Sequence, residues 1–253
     1  MIVIVCAFKA ELKALKTHLF DSSNNAVSAL DNGLKGYLGQ CGNQQVALLM
    51  TGIGMRRAGE ATRLALDRWP ATEFVLSTGV AGGLSPDLAL GAIVLANSVM
   101  TCHLETGLPE HILEVTQARR EAIASALTIA GKVAFAGTIF TSGKPLATAA
   151  AKSRAAKLSG AVAVDMESAA IALEATMRGV QHVCLRAILD RASEDVAGAE
   201  LADENGRVRA LVAARAIMGD PAILKSGIRL MRNLRVATNA MGEAVAAAIG
   251  KPG

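Results

Sequence analysis

The chain has 253 residues, of which 52% are hydrophobic, 19% are charged and 3% are aromatic, and its formal net charge is +4. This length accommodates one large α/β domain or two small ones, with a core of Ala, Val, Leu and Ile. The scattered positive charge lacks the dense basic patch with neighbouring aromatics that nucleic-acid binding requires, so we expect no nucleic-acid partner. The densest basic clusters have the spacing of solvated helix faces: Lys152, Arg154 and Lys157, and Arg229, Arg232 and Arg235.

The cysteines and histidines predict neither a disulfide framework nor a metal site. The four cysteines lie far apart without a CxxC pair, and the four histidines show no metal-ligand spacing. No apolar run reaches the roughly 18 residues that span a bilayer. The short apolar N-terminus, MIVIVCAF, is typical of a first strand and not of a signal peptide. We therefore expect a cytoplasmic protein without a metal.

Strands and helices alternate along the chain. An apolar run predicts a buried strand at residues 2–7, and a helical stretch follows over residues 9–18. Two strands joined at Gly42-Asn43 indicate a hairpin. The two hairpin strands cover residues 34–41 and 45–51. The later predicted strands cover residues 74–78, 92–99, 132–141, 162–164 and 182–189. The later predicted helices cover residues 55–69, 117–130, 145–158, 166–177, 208–217 and 222–249.

This alternation predicts a three-layer α/β sandwich with a mixed, largely parallel central sheet. The chain has no low-complexity linker and no internal repeat, so we predict a single domain over residues 1–253 with a helical C-terminal extension at about 207–250. In such sheets ligands bind at the carboxyl ends of the strands. The informative segments there are Glu11, residues 78–83, residues 164–168 and residues 186–190.

Three carboxylates follow predicted strands. Asp190 ends the apolar run VCLRAILD, where it is either a loop or cap residue or a general acid or base. Glu167 lies at a strand-to-helix junction, where it either complements the helix dipole or accepts hydrogen bonds from both hydroxyls of a sugar diol. In the second case Met166 would form an apolar floor. Glu11 is either a surface residue or part of the same site.

The glycine-rich segment Thr78–Gly83 allows the backbone to approach a flat ligand closely. It is not GxGxxG, no acidic residue stands at the dinucleotide spacing, and no Gly-Lys-Ser/Thr follows, so we predict no nicotinamide cofactor and no P-loop. The chain also lacks a GxSxG elbow, which argues against a Ser-His-Asp hydrolase.

Taken together, STGVAGGL (residues 77–84), VDMESAAIA (residues 164–172) and RAILD (residues 186–190) resemble the nucleoside phosphorylase and nucleosidase superfamily, in particular its methylthioadenosine/S-adenosylhomocysteine nucleosidase branch. The resemblance covers about residues 1–192. It implies cleavage of the N-glycosidic bond of an adenine-type nucleoside, without a cofactor and with water or phosphate as the nucleophile. Asp190 would protonate the departing purine, Glu167 would hold the ribose hydroxyls beside Met166, and Glu11 would activate the attacking water.

The same resemblance implies further substrate-binding residues: Phe8, Val80, Ala81, Gly82, Leu146 and Asp165. Some positions depart from the family pattern. Val80 replaces a Ser or Thr, Leu189 replaces a small polar residue, and Leu146 falls near the place of an aromatic that stacks on the base. Ser77 stands where phosphorylases have a phosphate-binding arginine. An anion could instead bind at Gly54, Arg56 and Arg57, which open a helix, although a packing turn with solvated arginines has the same pattern.

The tail, including ASEDVAGAELADENGRV and the closing helical segment, resembles the hopanoid-associated phosphorylases of this superfamily. This resemblance implies an adenosylhopane-like, lipid-linked substrate. An apolar stripe would either pack onto the domain or make peripheral membrane contact. Its members are Ile223, Leu224, Ile228, Met231 and Leu234.

The superfamily commonly completes its pocket with a neighbouring subunit, so we expect a homodimer or a larger homo-oligomer. Two other functions stay open. One is a methylthioadenosine/S-adenosylhomocysteine nucleosidase, and the other is a catalytically weak nucleoside-binding protein that keeps the fold.

Overall fold

The computed structural model describes residues 1–20, 34–102, 109–196 and 221–250. These residues form nine strands and six helices. The strands are β1 (Ile2–Cys6), β2 (Lys35–Cys41), β3 (Gln44–Met50), β4 (Phe74–Gly83), β5 (Ile93–Cys102), β6 (Pro109–Glu114), β7 (Ala134–Thr141), β8 (Ala163–Asp165) and β9 (Gln181–Asp190). The helices are α1 (Lys9–Leu19), α2 (Met55–Arg68), α3 (Gln117–Ile129), α4 (Ala149–Ser159), α5 (Ser168–Met177) and α6 (Pro221–Ala248).

The nine strands of the described residues form one mixed sheet, in which β2, β3, β1 and β4 lie side by side in that order. From β4 the sheet closes on itself, because β4 pairs with β8, β8 with β7, β7 with β5, β5 with β9, and β9 with β4 again. Closure satisfies the backbone groups that free strand edges would leave unpaired. The pairing of β9 is parallel with β4 and antiparallel with β5, so the predicted mixed sheet is confirmed.

Helices cover both faces of the sheet. Val3 and Val5 of β1 belong to a buried cluster with residues of α2 and α5. Ile4, between them, belongs to a second cluster with Leu15 of α1 and Met241 of α6. Because successive strand residues point to opposite faces, a continuous apolar strand such as β1 is buried on both sides. This arrangement is the predicted three-layer sandwich.

The structure corrects several predicted boundaries. β4 continues through Gly83, where the sequence predicts a loop after Thr78, because it pairs with β9 as far as Asp190. β6, which pairs antiparallel with β5, has no counterpart among the predicted strands. The helix predicted from residue 145 begins at Ala149, and the predicted helix 208–217 lies outside the described residues.

The C-terminal helix α6 packs against α1. His18 of α1 forms a hydrogen bond between its Nε2 and Oδ1 of Asn239, at 3.2 Å, and a Cβ added to Gly242 would lie only 2.3 Å from Cδ2 of His18. In contrast, Ile228 and Met231 of the predicted apolar stripe are 63% and 66% exposed, so these two side chains do not pack onto the domain. No helix in the described ranges is long and apolar enough to cross a membrane.

Two glycines of α6 provide a matched test of this packing. Alanine is the better helix former, so Gly227→Ala, which adds a Cβ in open space, should increase the free energy of unfolding by up to about 1 kcal/mol. Gly242→Ala should instead lower it by about 1–3 kcal/mol, because the Cβ displaces the His18 ring. Denaturant unfolding measures both values. Equal stabilisation by the two variants would contradict the α1–α6 contact.

Candidate active site

A cavity of about 200 Å³ lies at the carboxyl ends of β1, β4 and β9. Such ends are where an open α/β sheet presents its loops to a ligand. The lining includes every residue predicted for catalysis or substrate binding: Phe8, Glu11, Val80, Ala81, Gly82, Leu146, Asp165, Met166, Glu167 and Asp190. The structure therefore brings together side chains that are up to 182 positions apart in the sequence.

Glu11 lies in the first turn of α1 and is 1% exposed. Its Oε2 accepts hydrogen bonds from the backbone N–H groups of Ala7 (2.8 Å) and Phe8 (3.2 Å), and its Oε1 accepts one from Val80 (2.8 Å). A Cβ at Gly79 would lie 2.7 Å from Oε1, so this close approach requires glycine. Burial raises the pKa of Glu11, while the backbone donors lower it. A carboxylate with a raised pKa is suited to accept a proton.

Glu167 precedes α5 and is also buried. Its Oε1 accepts a hydrogen bond from the N–H of Gly54 at 2.7 Å, and its Oε2 accepts one from Met166 at 3.3 Å. Burial, reinforced by the negative charge of Asp165, raises the pKa of Glu167 to about 8. Gly54 presents its N–H from a backbone with φ of +100°, a conformation that favours glycine.

The predicted anion site does not form part of this cavity. The N–H of Gly54 is already bonded to Glu167, and neither Arg56 nor Arg57 lines the cavity. The side chain of Arg56 is 79% exposed and lies 3.9 Å from Glu60, its neighbour one helical turn later. This turn therefore serves to hold Glu167.

A buried arginine organises the segment that carries Glu167. Arg186 is 1% exposed in β9 and donates hydrogen bonds to Asp165 Oδ2 (2.9 Å), Ser77 Oγ (2.8 Å) and Ser168 Oγ (2.7 Å). Oδ1 of Asp165 accepts from the hydroxyl of Thr141 at 2.8 Å. Both oxygens of Asp165 are thus bonded within the protein, so this residue positions the segment instead of presenting a free carboxylate to substrate. A charged residue inside the apolar run VCLRAILD was the signal for such a pair.

Asp190 ends β9 and pairs with Lys152. The prediction that Lys152 lies on a solvated helix face is wrong. Lys152 of α4 is 1% exposed, and its Nζ donates to Oδ2 of Asp190. Burial raises the pKa of Asp190, and the positive charge of Lys152 lowers it. Arg154 and Lys157 are exposed as predicted, whereas Lys152 lies on the buried face of α4 with Ala155. Lys152 and Ala155 are three residues apart and therefore lie on the same face of the helix, which was the sequence signal for burial.

The rest of the lining is largely apolar. Leu189 precedes Asp190, Val196 follows it in the next loop, and Leu230 comes from α6. The basic residue of the described lining is Lys144, whose side chain is exposed. Within the described ranges, no group of three or more His, Cys, Asp or Glu could hold a metal ion.

The sequence of the chain matches that of a known protein family. A model of the family described as "Phosphorylase superfamily" matches residues 1–218. The chain belongs to the phosphorylase superfamily. This assignment confirms the family predicted from the motifs and the prediction that the chain is an enzyme.

Relatives within the superfamily agree with this assignment. The chain is 29% identical over 197 residues to 5′-methylthioadenosine/S-adenosylhomocysteine nucleosidase of Shewanella piezotolerans, covering 71% of this chain and 83% of that protein. The fold matches that of a nucleosidase of the same name from Colwellia psychrerythraea in complex with adenine, with a TM-score of 0.76, 21% identity and coverage of 99% and 94% of the two chains. It also matches futalosine hydrolase of Helicobacter pylori, with a TM-score of 0.76, 17% identity and coverage of 98% and 96%.

The raised pKa of Glu167 predicts a pH-dependent loss of stability. Its ordinary value is 4.5, so between pH 4.5 and 8 the folded protein keeps a proton that the unfolded chain has lost. Folding stability therefore falls as pH rises through this window. Glu167→Gln stays neutral and should raise the Tm by at least about 2 °C at pH 8, with a smaller gain at pH 5. Glu60→Gln, at an exposed position, is the control and should show no such trend.

The Arg186–Asp165 pair should contribute far more to stability than a surface pair. Arg186→Met leaves the carboxylate of Asp165 buried without its cation, so the free energy of unfolding should fall by about 3–5 kcal/mol. Arg63→Met breaks the exposed pair with Asp67 and should cost at most about 1 kcal/mol. Denaturant unfolding compares the two, and losses of similar size would show that the buried network is not formed.

Proposed function

We propose that this chain cleaves the N-glycosidic bond of an adenine nucleoside. The observation that carries the proposal is the convergence of Glu11, Glu167 and Asp190 on one cavity, from three separate segments of the chain. All three carboxylates have pKa values raised by burial, as is common for groups that transfer or hold protons in active sites. The similarity to nucleosidases, including one solved with adenine, supports adenine as the leaving base.

In the proposed reaction, each carboxyl group has a separate task. Asp190 gives a proton to the imidazole ring of the purine, so that the base departs as a neutral molecule and not as an anion. The ribosyl centre becomes oxocarbenium-like as the bond breaks. Glu167 forms hydrogen bonds with the ribose hydroxyls beside Met166 and so orients the sugar. Glu11 takes a proton from the nucleophile that captures the ribosyl centre.

We assign water, and not phosphate, as the nucleophile. The N–H of Gly54 is occupied by Glu167, and the arginines predicted for phosphate are absent from the described lining of the cavity. Ser77, at the position of a phosphate-binding arginine, accepts a hydrogen bond from Arg186 instead. A dianion next to Glu11 and Glu167 would meet two acidic side chains, and Lys144, the basic residue of the described lining, is exposed to solvent.

For the rest of the substrate we propose an apolar 5′ substituent of the adenosylhopane type. Leu146, Leu189 and Leu230 give the cavity apolar walls, and Ile228 and Met231 are exposed apolar side chains of the helix that carries Leu230. Such side chains also suit the predicted peripheral membrane contact. The predicted homo-oligomer stays a prediction.

A second candidate is a methylthioadenosine/S-adenosylhomocysteine nucleosidase, and it is favoured by the 29% identity to an enzyme of that name. Both candidates use the same chemistry and differ in the 5′ substituent. A catalytically weak binding protein is less consistent with the structure, because burying three carboxylates costs stability that binding alone does not require.

The assay that separates these functions follows adenine release from adenosine, methylthioadenosine, S-adenosylhomocysteine and adenosylhopane, each with and without phosphate. We expect release that is independent of phosphate, with adenosylhopane as the preferred substrate. Preference for methylthioadenosine would establish the second candidate. Release that requires phosphate would refute the assignment of water, and no release from any of the four would refute the proposed reaction.

The central variant is Asp190→Asn, which keeps the shape of the side chain but cannot donate a carboxylic proton. We expect adenine release to fall by about 10²–10⁴-fold, the usual contribution of a general acid. Asp87→Asn, at an exposed position, is the matched control and should keep full activity. Near-normal turnover of Asp190→Asn, with a normal thermal transition, would remove Asp190 from the mechanism.

A further inference from the structure

Lys152 is a fully buried ammonium group with all of its donors used. Nζ donates to Oδ2 of Asp190, to the carbonyl of Arg191 at 2.8 Å and to the carbonyl of Glu194 at 2.9 Å. An ammonium has three N–H donors, so these three acceptors satisfy it completely. Removing such a charge from water is costly unless it is paired, and the paired carboxylate here is the proposed acid.

The other charged groups near Asp190 do not replace this contact. Glu194 raises the pKa of Asp190, and its carboxylate accepts a hydrogen bond from the N–H of Arg191 at 3.1 Å. Asp195 and Arg229 line a small recess beside Asp190, where a guanidinium N–H of Arg229 donates to the backbone carbonyl of Asp195 at 3.0 Å. Among the described residues, Lys152 is thus the cation that contacts the Asp190 carboxylate directly.

We propose that Lys152 is a positioning residue that stabilises the carboxylate formed when Asp190 protonates the departing base. This inference rests on the proposed function. Because Lys152 holds Oδ2, the proton leaves from Oδ1. The O–H bond of Asp190 breaks as an N–H bond forms on the imidazole ring of the purine, and the electron pair of the N-glycosidic bond passes to the base. Asp190 remains as a carboxylate paired with Lys152, which keeps its three protons throughout.

The charge of Lys152 should make Asp190 a stronger acid than burial alone would allow. Without that charge, the carboxylate left after proton transfer would be poorly solvated, and the pKa of Asp190 would rise further. Activity that needs protonated Asp190 is lost as pH rises through its pKa. Removing the charge should therefore move the high-pH limb of kcat/KM to higher pH, and the plateau should fall because the acid is weaker.

Lys152 also stabilises the loop that carries Val196, because its Nζ donates to the carbonyls of Arg191 and Glu194. A purely structural role in that loop would change substrate affinity or stability without changing the ionisation of Asp190. Two substitutions separate the roles. Lys152→Gln keeps N–H donors but loses the charge, whereas Lys152→Arg keeps the charge. Arg154→Met, at an exposed position of the same helix, is the control.

The experiment measures kcat and KM for adenine release against pH, with the best substrate from the assay above. For Lys152→Gln we expect a plateau roughly 10-fold or more below wild type, part of what a general acid contributes, and a high-pH midpoint that moves upward. Lys152→Arg should restore the midpoint, and Arg154→Met should match wild type. An unchanged midpoint in Lys152→Gln would overturn the proposal, whatever happens to KM.

A second test combines Lys152→Gln with Asp190→Asn and compares the residual kcat values. When the acid is absent, Lys152→Gln should not lower the residual kcat further, because its effect passes through Asp190. A further loss as large as in the wild-type background would overturn the proposal. If Asp190→Asn itself stays active, the proposed function fails. If it is inactive while the pH profile of Lys152→Gln is unchanged, the role of Lys152 alone fails.

Discussion

One guanidinium, buried in the middle of β9, connects the strand ends on which the site depends. Arg186 bonds to Ser77 of β4, Asp165 of β8 and Ser168 of α5, so a single side chain fixes three elements relative to a fourth. Its charge also lowers the pKa values of Glu11 and Glu167, against the larger effect of burial. Arg186 therefore both fixes the strand ends beside the cavity and favours the ionised forms of Glu11 and Glu167.

The cavity separates its charges into two groups. Arg186 of β9 compensates Glu11, Asp165 and Glu167, while Lys152 of α4 compensates Asp190. Because the two cations are anchored independently, Asp190 can have a proton affinity different from those of Glu11 and Glu167 within one small cavity. Pairs of titratable groups whose environments differ in this way are how an active site performs acid and base chemistry at one pH.

The sequence predicts the fold from local patterns, whereas lining residues such as Phe8 and Leu146 are implied by the family resemblance. Apolar runs identified the strands, and carboxylates placed just after those runs had to meet at one edge of the sheet. Lys152 and Gly54 could not be placed in the same way. Whether a lysine is solvated or buried depends on the element that its helix face packs against. The N–H of Gly54 could bind an anion only if it did not already donate to Glu167. Both partners lie far along the chain.

The C-terminal helix α6 contributes an apolar residue to the cavity wall but none of the three carboxylates. Glu11, Glu167 and Asp190 all lie within residues 1–218, the range matched by the superfamily, whereas α6 begins at Pro221 and contributes Leu230 to the cavity wall. α6 packs against α1 through His18 and Gly242, and its Arg229 donates to the backbone carbonyl of Asp195 in the recess beside Asp190. We expect changes at the exposed Ile228 and Met231 to leave the hydrogen bonds of the three carboxylates intact. Under the proposed function, we therefore expect the 5′ specificity to depend on Leu230 of α6 and the bond cleavage to depend on the carboxylates at the strand ends.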